Sequence, residues 1–494
     1  MNIMRVVNKN ITQIMSLLML GVSLVGCKKD FLDTDPKGLL IAEKTSDYDL
    51  LLNAESIRGQ ALASHILMSD ELAGYAPLFS VLGTGTFRLS DQKAFRWEDD
   101  IYLADENYSE FNSLVRQLYY YNKIINEVLD SKDGTESQKK SILSEALAGR
   151  AYAHFMLVNY YGKPYNEATA STDLATPLYK IADVTQTTFT RATVKEMYEQ
   201  IVADLKAAIP DLPQKTSNRI RMSRSAGEAL LGKVYVYMGK FELALPLLGA
   251  SLQDLAGASI PIGLYDYTKE LASGGAFTPV NPFIGPARGL DPYADQEVLY
   301  LKSTTNLYVY LASGIVLNPQ AVKSFANTDL RKQFMSSFSF GMTALYPQGM
   351  QRAWGRGGLT NLGINIPDIY LLRAECKARL GDLIGAVEDL VILRKNRMPI
   401  AEAGIPAAIA TDKITLTRFI LEERTREFFM NGERWWDMRR LSVDPDHKGT
   451  VGDTHQLYDK DGKVTATFKL KPERLTFRFP LYILQSNPAM QQNP

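Results

Sequence analysis

Residues 229–248 read ALLGKVYVYMGKFELALPLL and predict two antiparallel helices joined by a tight turn. Apolar residues recur at helical spacing on both sides of Gly239, where we expect the chain to reverse. Gly232 in the first half and Ala244 in the second half are small, so the two helices can approach each other closely. The stretch therefore predicts a helical hairpin with a close helix–helix contact.

The same spacing of small and apolar residues returns further along the chain. It is typical of a tetratricopeptide (TPR) motif and recurs at residues 371–390, where Ala374, Gly381 and Ala386 take the small positions. A weaker version occupies residues 148–161. Long insertions separate these units, whereas stacked TPR units follow one another every ~34 residues. The repeats therefore predict a helical scaffold with decorations rather than a regular solenoid.

The pattern as a whole predicts a mostly α fold, a TPR-like helical-pair scaffold with long irregular loop insertions and minor β-hairpins. The main insertion, residues 263–363, is rich in Gly, Pro, Asn, Ser and aromatic residues. Loops of this length inside a domain are usually functional. The predicted helices cover residues 117–129, 138–161 and 194–209, a short strand is expected at 297–302, and a hairpin turn at 460–463.

The charge balance and the rarity of metal-binding side chains exclude several classes of function. The 494 residues contain 55 Lys and Arg and 55 Asp and Glu, so the formal net charge is zero, which argues against a nucleic-acid binder. Two cysteines cannot build a disulfide framework, and the four histidines show no zinc-site spacing. We therefore expect no metal site and no cofactor.

The first residues are typical of a bacterial lipoprotein signal peptide. Two basic residues precede an apolar stretch at residues 11–26, and the stretch ends in Leu-Val-Gly-Cys, the pattern of a lipobox at residues 24–27. The sequence predicts a signal peptide at residues 1–26 and an acylated, palmitate-bearing Cys27 that anchors the protein to a membrane. Cys376 lies in an apolar helical pattern, so we expect it to be a buried apolar residue.

The densest charge pattern is residues 421–441, LEERTREFFMNGERWWDMRRL. Paired carboxylates in such a stretch suggest glycoside hydrolysis. However, each acid has an arginine within one helical turn, which favours permanent ion pairs over a general acid. The expected pairs are Glu422 with Arg426, Arg424 with Glu427, and Arg434 with Asp437. The predicted structural ion network consists of Glu422, Glu423, Arg424, Arg426, Glu427, Arg434 and Asp437.

This stretch resembles the C-terminal signature of the SusD/RagB family of outer-membrane lipoproteins of Bacteroidota. Other segments resemble the family in the same order along the chain: the residues after the lipobox, residues 150–162, residues 329–331, residues 366–375 (IPDIYLLRAE) and the closing residues 479–494. The resemblance implies a single SusD-like domain at residues 27–494. Its N-terminal part is 27–215, and its TPR and C-terminal part is 216–494, with the loop-rich insertion 263–363.

The resemblance also implies a function without catalysis. Proteins of this family are surface lipoproteins of the outer membrane that bind a nutrient, usually a glycan. They form a lid over a SusC-like TonB-dependent β-barrel transporter and deliver the ligand for import. The TPR-like helices are expected to face the transporter, and the insertions to form an outward-facing ligand surface. A helical glycoside hydrolase and a TPR-type protein-binding adaptor are the alternatives.

A glycan binder needs exposed aromatic rings with polar neighbours, because sugars present flat apolar faces and hydroxyl groups. Trp435 lies in the charged helical pattern beside a second tryptophan, and we expect both to be core residues. Trp97 and Trp354 lie in irregular polar segments and are the predicted ligand-binding residues, with Tyr75 and Arg352 behind them. Buried or loop-anchoring rings are the alternative interpretation of these positions.

Overall fold

The computed structural model describes residues 42–60, 62–79, 88–106, 109–257, 260–281, 285–287, 293–306, 313–354 and 359–494. The predicted signal peptide and Cys27 lie outside these residues. Residues Lys44–Pro494 form one compact unit. No helix in this part of the chain is long and apolar enough to cross a membrane.

Most of the regular structure is helical. Within the described residues the chain forms seventeen α-helices: α1 (Thr45–Leu51), α2 (Glu55–Arg58), α3 (Ala76–Phe79), α4 (Leu89–Phe95), α5 (Glu110–Glu127), α6 (Glu136–Tyr161), α7 (Val194–Ala208), α8 (Arg224–Tyr237), α9 (Phe241–Asp254), α10 (Tyr267–Glu270), α11 (Pro319–Lys323), α12 (Ile366–Leu380), α13 (Leu383–Arg394), α14 (Ala407–Ala410), α15 (Lys413–Glu427), α16 (Glu433–Ser442) and α17 (Leu481–Ser486).

Local chemistry fixes where the long helices begin and end. Thr135 and Thr193 cap α6 and α7, each accepting a bond from a backbone N–H in the first turn, with Gln138 and Glu196 completing the capping boxes. At the end of α12, Gly381 adopts the left-handed conformation, with φ at 93°. The predicted helices are therefore confirmed. α5 begins before the predicted residue 117 because its first turns also pack into the core.

The long helices pack as antiparallel neighbours. α5 lies against α6, α6 against α7, α8 against α9, and α12 against α13, while α12 also contacts α9 and α15. In the α8–α9 hairpin a Cβ on Gly232 would lie 2.8 Å from the Leu248 side chain, so only glycine permits this contact. This arrangement confirms the predicted mostly α, TPR-like fold.

The remaining regular structure consists of short strands between the helices. The described strands are β1 (Gly59–Gln60), β2 (Leu72–Tyr75), β3 (Val298–Tyr300), β4 (Ser303–Thr305), β5 (Ile315–Leu317), β6 (Met335–Ser336), β7 (Arg352–Ala353), β8 (Leu359–Asn361), β9 (Ile364–Asn365), β10 (Thr454–Tyr458) and β11 (Val464–Lys469). The largest sheet has the order β11-β10-β2-β5, with β2 and β10 parallel and the other two pairs antiparallel. The predicted hairpin at residues 460–463 is the β10–β11 connection, and β3 confirms the predicted strand.

A buried ion network joins α15 to the segments that pack around it. The carboxylate of Glu423 accepts bonds from three guanidinium groups, Arg331 and Arg394 at 2.7 Å and Arg426 at 2.8 Å. All four side chains are buried or nearly so. Arg331 comes from the insertion and Arg394 from the end of α13, so one carboxylate ties three separate parts of the chain together.

A second set of ion pairs joins α15 and α16 to α12. Arg424 donates to Asp368 at 2.6 Å and to Asp437 at 2.8 Å. Asp437 also accepts from Arg440, which forms a two-bond pair with Glu375, each bond 2.7 Å long. Paired bonds of this kind fix the direction as well as the distance of an arginine. These ion pairs therefore hold the second TPR-like hairpin, α12 and α13, against α15 and α16.

The structure corrects the predicted pairings within the signature. The predicted Arg424–Glu427 pair is wrong, because Glu427 binds Arg331 and Arg397. The predicted Arg434–Asp437 pair is also wrong, because Arg434 binds Asp70. These side chains point into the interior, where partners from other elements are nearer than a residue one turn away. Glu422 does lie near Arg426, but at 3.9 Å and with 56% of its side chain exposed.

The network also keeps its acids ionised. Burial alone would raise the pKa of the Glu423 carboxyl, but the charges of Arg331, Arg426 and Arg394 outweigh it and hold that pKa well below its usual range. Glu375 is held low in the same way, with burial opposed by Arg440 and Arg379. These carboxylates therefore stabilise the folded state at neutral pH, and that stabilisation is lost as they protonate.

The same substitution at two neighbouring glutamates should have very different effects. We expect Glu423→Gln to lower the free energy of unfolding by about 3–5 kcal/mol, because it leaves three buried guanidinium groups without their shared charge. Glu422→Gln, on the exposed face, should change it by less than about 0.5 kcal/mol. Urea unfolding at pH 7 measures both values.

The pH dependence provides a second check on Glu423. Because its pKa is depressed in the folded state, its contribution is complete above the unfolded-state pKa of about 4.3 and declines as the pH falls further. The stability gap between the wild type and Glu423→Gln should therefore narrow between about pH 5 and pH 2. A gap that stays constant over this range would contradict the assignment.

Substitution by alanine should lower the stability of the protein at one helical glycine and raise it at another. A Cβ on Gly149 in α6 would lie 2.3 Å from the ring of Tyr121 on α5, and Lys302 holds that ring through a 2.6 Å bond to its hydroxyl. We expect Gly149→Ala to cost about 1–3 kcal/mol of stability. A Cβ on Gly249 in α9 would meet nothing within 4 Å, so Gly249→Ala should add about 0.4–1 kcal/mol. Thermal unfolding of both variants tests the packing of α5 against α6.

Candidate functional site

The two faces of the largest sheet have different surroundings. Because side chains alternate along a strand, Leu72 and Gly74 of β2 face the main core while Ala73 and Tyr75 face the other way. β5 divides in the same manner, with Val316 on the side of Tyr75. The side of the sheet that carries Tyr75 is therefore a separate surface, covered by the insertion rather than by the helices.

Trp97 belongs to the inner face. Its ring stacks on His455 of β10 with 3.7 Å between the ring centroids, and its indole N–H donates to the carbonyl of Met68 at 3.0 Å. The residue is 2% exposed and holds a left-handed backbone conformation, with φ at 52°. The prediction that Trp97 is an exposed binding platform is therefore wrong, because its ring anchors the segment after α4 to the sheet.

Tyrosines from three segments meet on the outer face, and we call this surface the tyrosine face. Tyr75 of β2 and Tyr346 of the insertion make an edge-to-face contact at 5.2 Å, and Tyr458 of β10 lies opposite Tyr75 in the parallel ladder. The hydroxyl of Tyr346 donates to the carbonyl of Ser313 at 2.8 Å. Tyr458 is half-buried, so part of its ring faces solvent.

A loop of the insertion, residues 337–350, forms the rim of the tyrosine face. Phe338 and Leu345 pair as an isolated bridge, and Met342 lies at the turn between them. All three side chains are exposed, Phe338 by 38%, Met342 by 52% and Leu345 by 59%. The loop therefore presents apolar groups to solvent beside the buried tyrosines.

Arg352 supports this loop from below. It is buried, and its guanidinium donates to the carbonyl of Phe338 at 2.8 Å. Burial lowers the pKa of Arg352, although the Tyr346 hydroxyl opposes that shift. Tyr75 is buried as well. The structure thus corrects the prediction for Tyr75 and Arg352, because both lie under the surface and hold it in place instead of facing solvent.

Trp354 is the predicted residue that remains partly accessible. It follows β7, its backbone N–H donates to the carbonyl of Phe334 at 2.7 Å, and its side chain is half-buried. Gly285 lies against the ring, where a Cβ would come within 2.5 Å. Among the described residues, no hydrogen-bond partner is found for the indole N–H.

The sequence prediction included two buried residues of this surface but not two of its rings. Tyr75 belongs to the tyrosine face and Arg352 holds its loop, whereas Trp97 lies on the opposite face of the same sheet. Trp354 follows β7 and lies against Gly285. Tyr346 and Tyr458 were not predicted. For Tyr458 a signal was available, because it lies beside the predicted hairpin turn at residues 460–463, where the strands of a hairpin are expected.

The chemistry of this surface is suited to contact with a ligand. Groups of three or more metal-binding side chains are not found within the described ranges. The tyrosine face offers flat rings, hydroxyls and the Gln456 amide, whose oxygen accepts from the Tyr458 hydroxyl at 2.5 Å. Rings flanked by such polar groups suit a ligand with both apolar faces and hydroxyls.

Comparison with known proteins places the chain in a family. Residues 30–236 match a family described as "Starch-binding associating with outer membrane", and residues 357–494 match the family described as "SusD family". The chain belongs to the SusD family. The resemblance drawn from the signature at residues 421–441 is thereby confirmed, because that signature lies within the second matched range.

Relatives within the SusD family are distant in sequence and similar in fold. SusD-like protein P2 of Formosa agariphila is 22% identical over 478 residues, which cover 87% of this chain and 90% of that protein. A structure described as a putative sugar binding protein from Bacteroides vulgatus has a TM-score of 0.70 at 19% identity, covering 92% of this chain and 99% of that one. A laminarin binding SusD-like protein has a TM-score of 0.60 at 18% identity, covering 92% and 99%.

Proposed function

We propose that this protein is a non-catalytic, glycan-binding lipoprotein of the outer membrane. In this proposal it is anchored through acylated Cys27, faces outward, and acts as lid and delivery subunit of a SusC-like TonB-dependent β-barrel transporter. Membership of a family described as starch-binding and associating with the outer membrane supports this function. The laminarin-binding relative supports a glycan over a peptide as the ligand.

The convergence of three tyrosines on the outer face of the sheet carries the proposal. Tyr458 and Phe338 are aromatic side chains there that solvent reaches, and we assign ligand contact to them and to the half-buried Trp354. Tyr75 and Arg352 hold the rings and the loop from below. A glycan chain would lay the apolar faces of its sugar rings on the aromatic groups and bond its hydroxyls to the polar groups between them.

The buried acids that arginines hold ionised argue for binding without hydrolysis. A glycosidase needs two carboxyl groups at the bond to be cleaved, one of them protonated at working pH. Glu423 and Glu375 are fully buried and held ionised by arginines, so they supply no general acid to a ligand. Their role is to support the fold.

Truncation of the accessible rings should weaken glycan binding. We expect Tyr458→Ala and Trp354→Ala each to lower the affinity for the bound polysaccharide about five- to tenfold, since central aromatic contacts dominate such sites. Affinity electrophoresis against laminarin and a panel of soluble plant and host glycans, followed by calorimetry, measures this. Tyr120→Ala, at a half-buried tyrosine of α5 outside the tyrosine face, is the matched control and should bind as the wild type does.

Two results would count against the assigned surface. The first is a wild-type protein that binds none of the glycans in the panel, and the second is a pair of variants that bind as tightly as the wild type. Release of reducing ends from a bound glycan by the purified protein would instead favour the hydrolase alternative.

The membrane anchor and the transporter are tested together in cells. We expect Cys27→Ser to abolish labelling by a palmitate analogue and to move the protein from the outer-membrane fraction to the soluble fraction. Full-length wild-type protein, purified in mild detergent, should bring a TonB-dependent β-barrel with it. Cys376→Ser is the control, because this buried thiol has no role in anchoring. Retention of Cys27→Ser in the outer membrane would contradict the anchor.

A further inference from the structure

A second concave surface lies between α5, the segment 179–189 and the C-terminal residues 483–490. It shares no lining residue with the tyrosine face. Its cavity volume is about 390 Å³, which is within the range of small-molecule sites. We call it the α5 groove, and nothing in the proposed glycan function uses it.

The floor and wall of the α5 groove are aromatic. Phe111 and Tyr179 meet edge to face, with ring centroids 6.5 Å apart and an angle of 77°, and Tyr179 contacts Phe189 at 4.9 Å. Val115 and Ile483 complete the lining on either side. Aromatic edges and faces arranged in this way favour another ring, which can continue the same edge-to-face pattern.

Apolar side chains at the edge of the α5 groove are exposed to solvent. Ile181 is 68% exposed and Val184 is 78% exposed, and both line the groove. Single exposed aliphatic residues are common, but here two of them border a cavity with an aromatic wall. A ligand seated in the groove would remove part of this apolar surface from water, which stabilises the bound state.

The amide side chains of the lining are already engaged. Asn122 donates to the carbonyl of Tyr179 at 3.0 Å and accepts from Arg150 at 3.1 Å. Asn487 donates to the carbonyl of Phe189 at 2.7 Å, and Gln186 donates to a neighbouring carbonyl at 3.3 Å. These groups hold the wall in position. They are therefore poorly placed to read the hydroxyl pattern of a sugar.

The charge at the groove selects against anions. Asp183 lies on the rim, where its carboxylate accepts bonds from the backbone and hydroxyl of Thr185 at 2.8 and 2.7 Å. The lining residues include no lysine or arginine. A negatively charged ligand would meet a like charge without a compensating cation, so the groove disfavours anions.

From these observations we propose that the α5 groove is a second binding site for a ligand that carries no negative charge and is built on one or two aromatic ring systems. The site is independent of the tyrosine face and of the glycan proposed there. Its cavity volume, aromatic wall, engaged amides and lack of basic side chains all point to the same class of ligand.

The neutral fluorophore N-phenyl-1-naphthylamine is a suitable probe, because it carries separate aromatic ring systems and no charge. We expect the full chain to bind it saturably, with one site per molecule and an increase in fluorescence. Ser486→Trp should weaken binding at least about tenfold, because an indole on this exposed lining residue fills the groove. Gln485→Trp places the same ring one residue earlier, outside the lining, and should keep the affinity within about twofold.

Two controls accompany the binding measurement, one for folding and one for the independence of the two sites. Thermal unfolding of both tryptophan variants checks that they are folded, and addition of laminarin should leave the fluorophore bound. Failure of the wild type to bind the fluorophore saturably, or equal affinity in Ser486→Trp and the wild type, would overturn the proposal. Displacement of the fluorophore by the glycan would show that the two sites are not independent. Failure of glycan binding alone would leave the α5 groove unaffected.

Discussion

The carboxylate of Glu423 is the point on which the C-terminal half of the molecule depends. It lies where α15, the end of α13 and the insertion come together, and each of these elements supplies it with an arginine. A charge buried to this degree is tolerated only when its partners are correctly placed. The elements that supply those partners are thus restricted to one arrangement. Apolar packing alone would specify that arrangement less sharply.

This constraint connects the scaffold to the surface that we assign to the ligand. Arg331 follows directly on Leu330, whose backbone N–H bonds the carbonyl of Arg397, another arginine of the network. The next residues of the insertion form β6, which pairs with β7 and so places Arg352 under the tyrosine face. The loop 337–350 therefore follows a strand that is held in one position. A rigid base lowers the entropy that ligand binding would otherwise cost.

The helices and the hairpin could be read from the sequence because their signals are local. Periodicity, capping threonines and the glycine after α12 act within a few residues of one another. The partners of Arg434 could not be read in this way, since Asp70 is distant in sequence and is brought near only by the tertiary fold. The tryptophans show the same limit. Trp97 and Trp354 stand in similar polar segments, and only the sheet decides which one faces the core.

Strand β10 turns alternate residues towards the core and towards the surface that we assign to the ligand. His455 and Leu457 point inward, towards Trp97 and the core, while Gln456 and Tyr458 point outward. A change in an outward side chain leaves the inward stack intact. In the proposed function, relatives that share this strand could therefore change the ligand that they bind by exchanging its outward residues, without disturbing the inward stack.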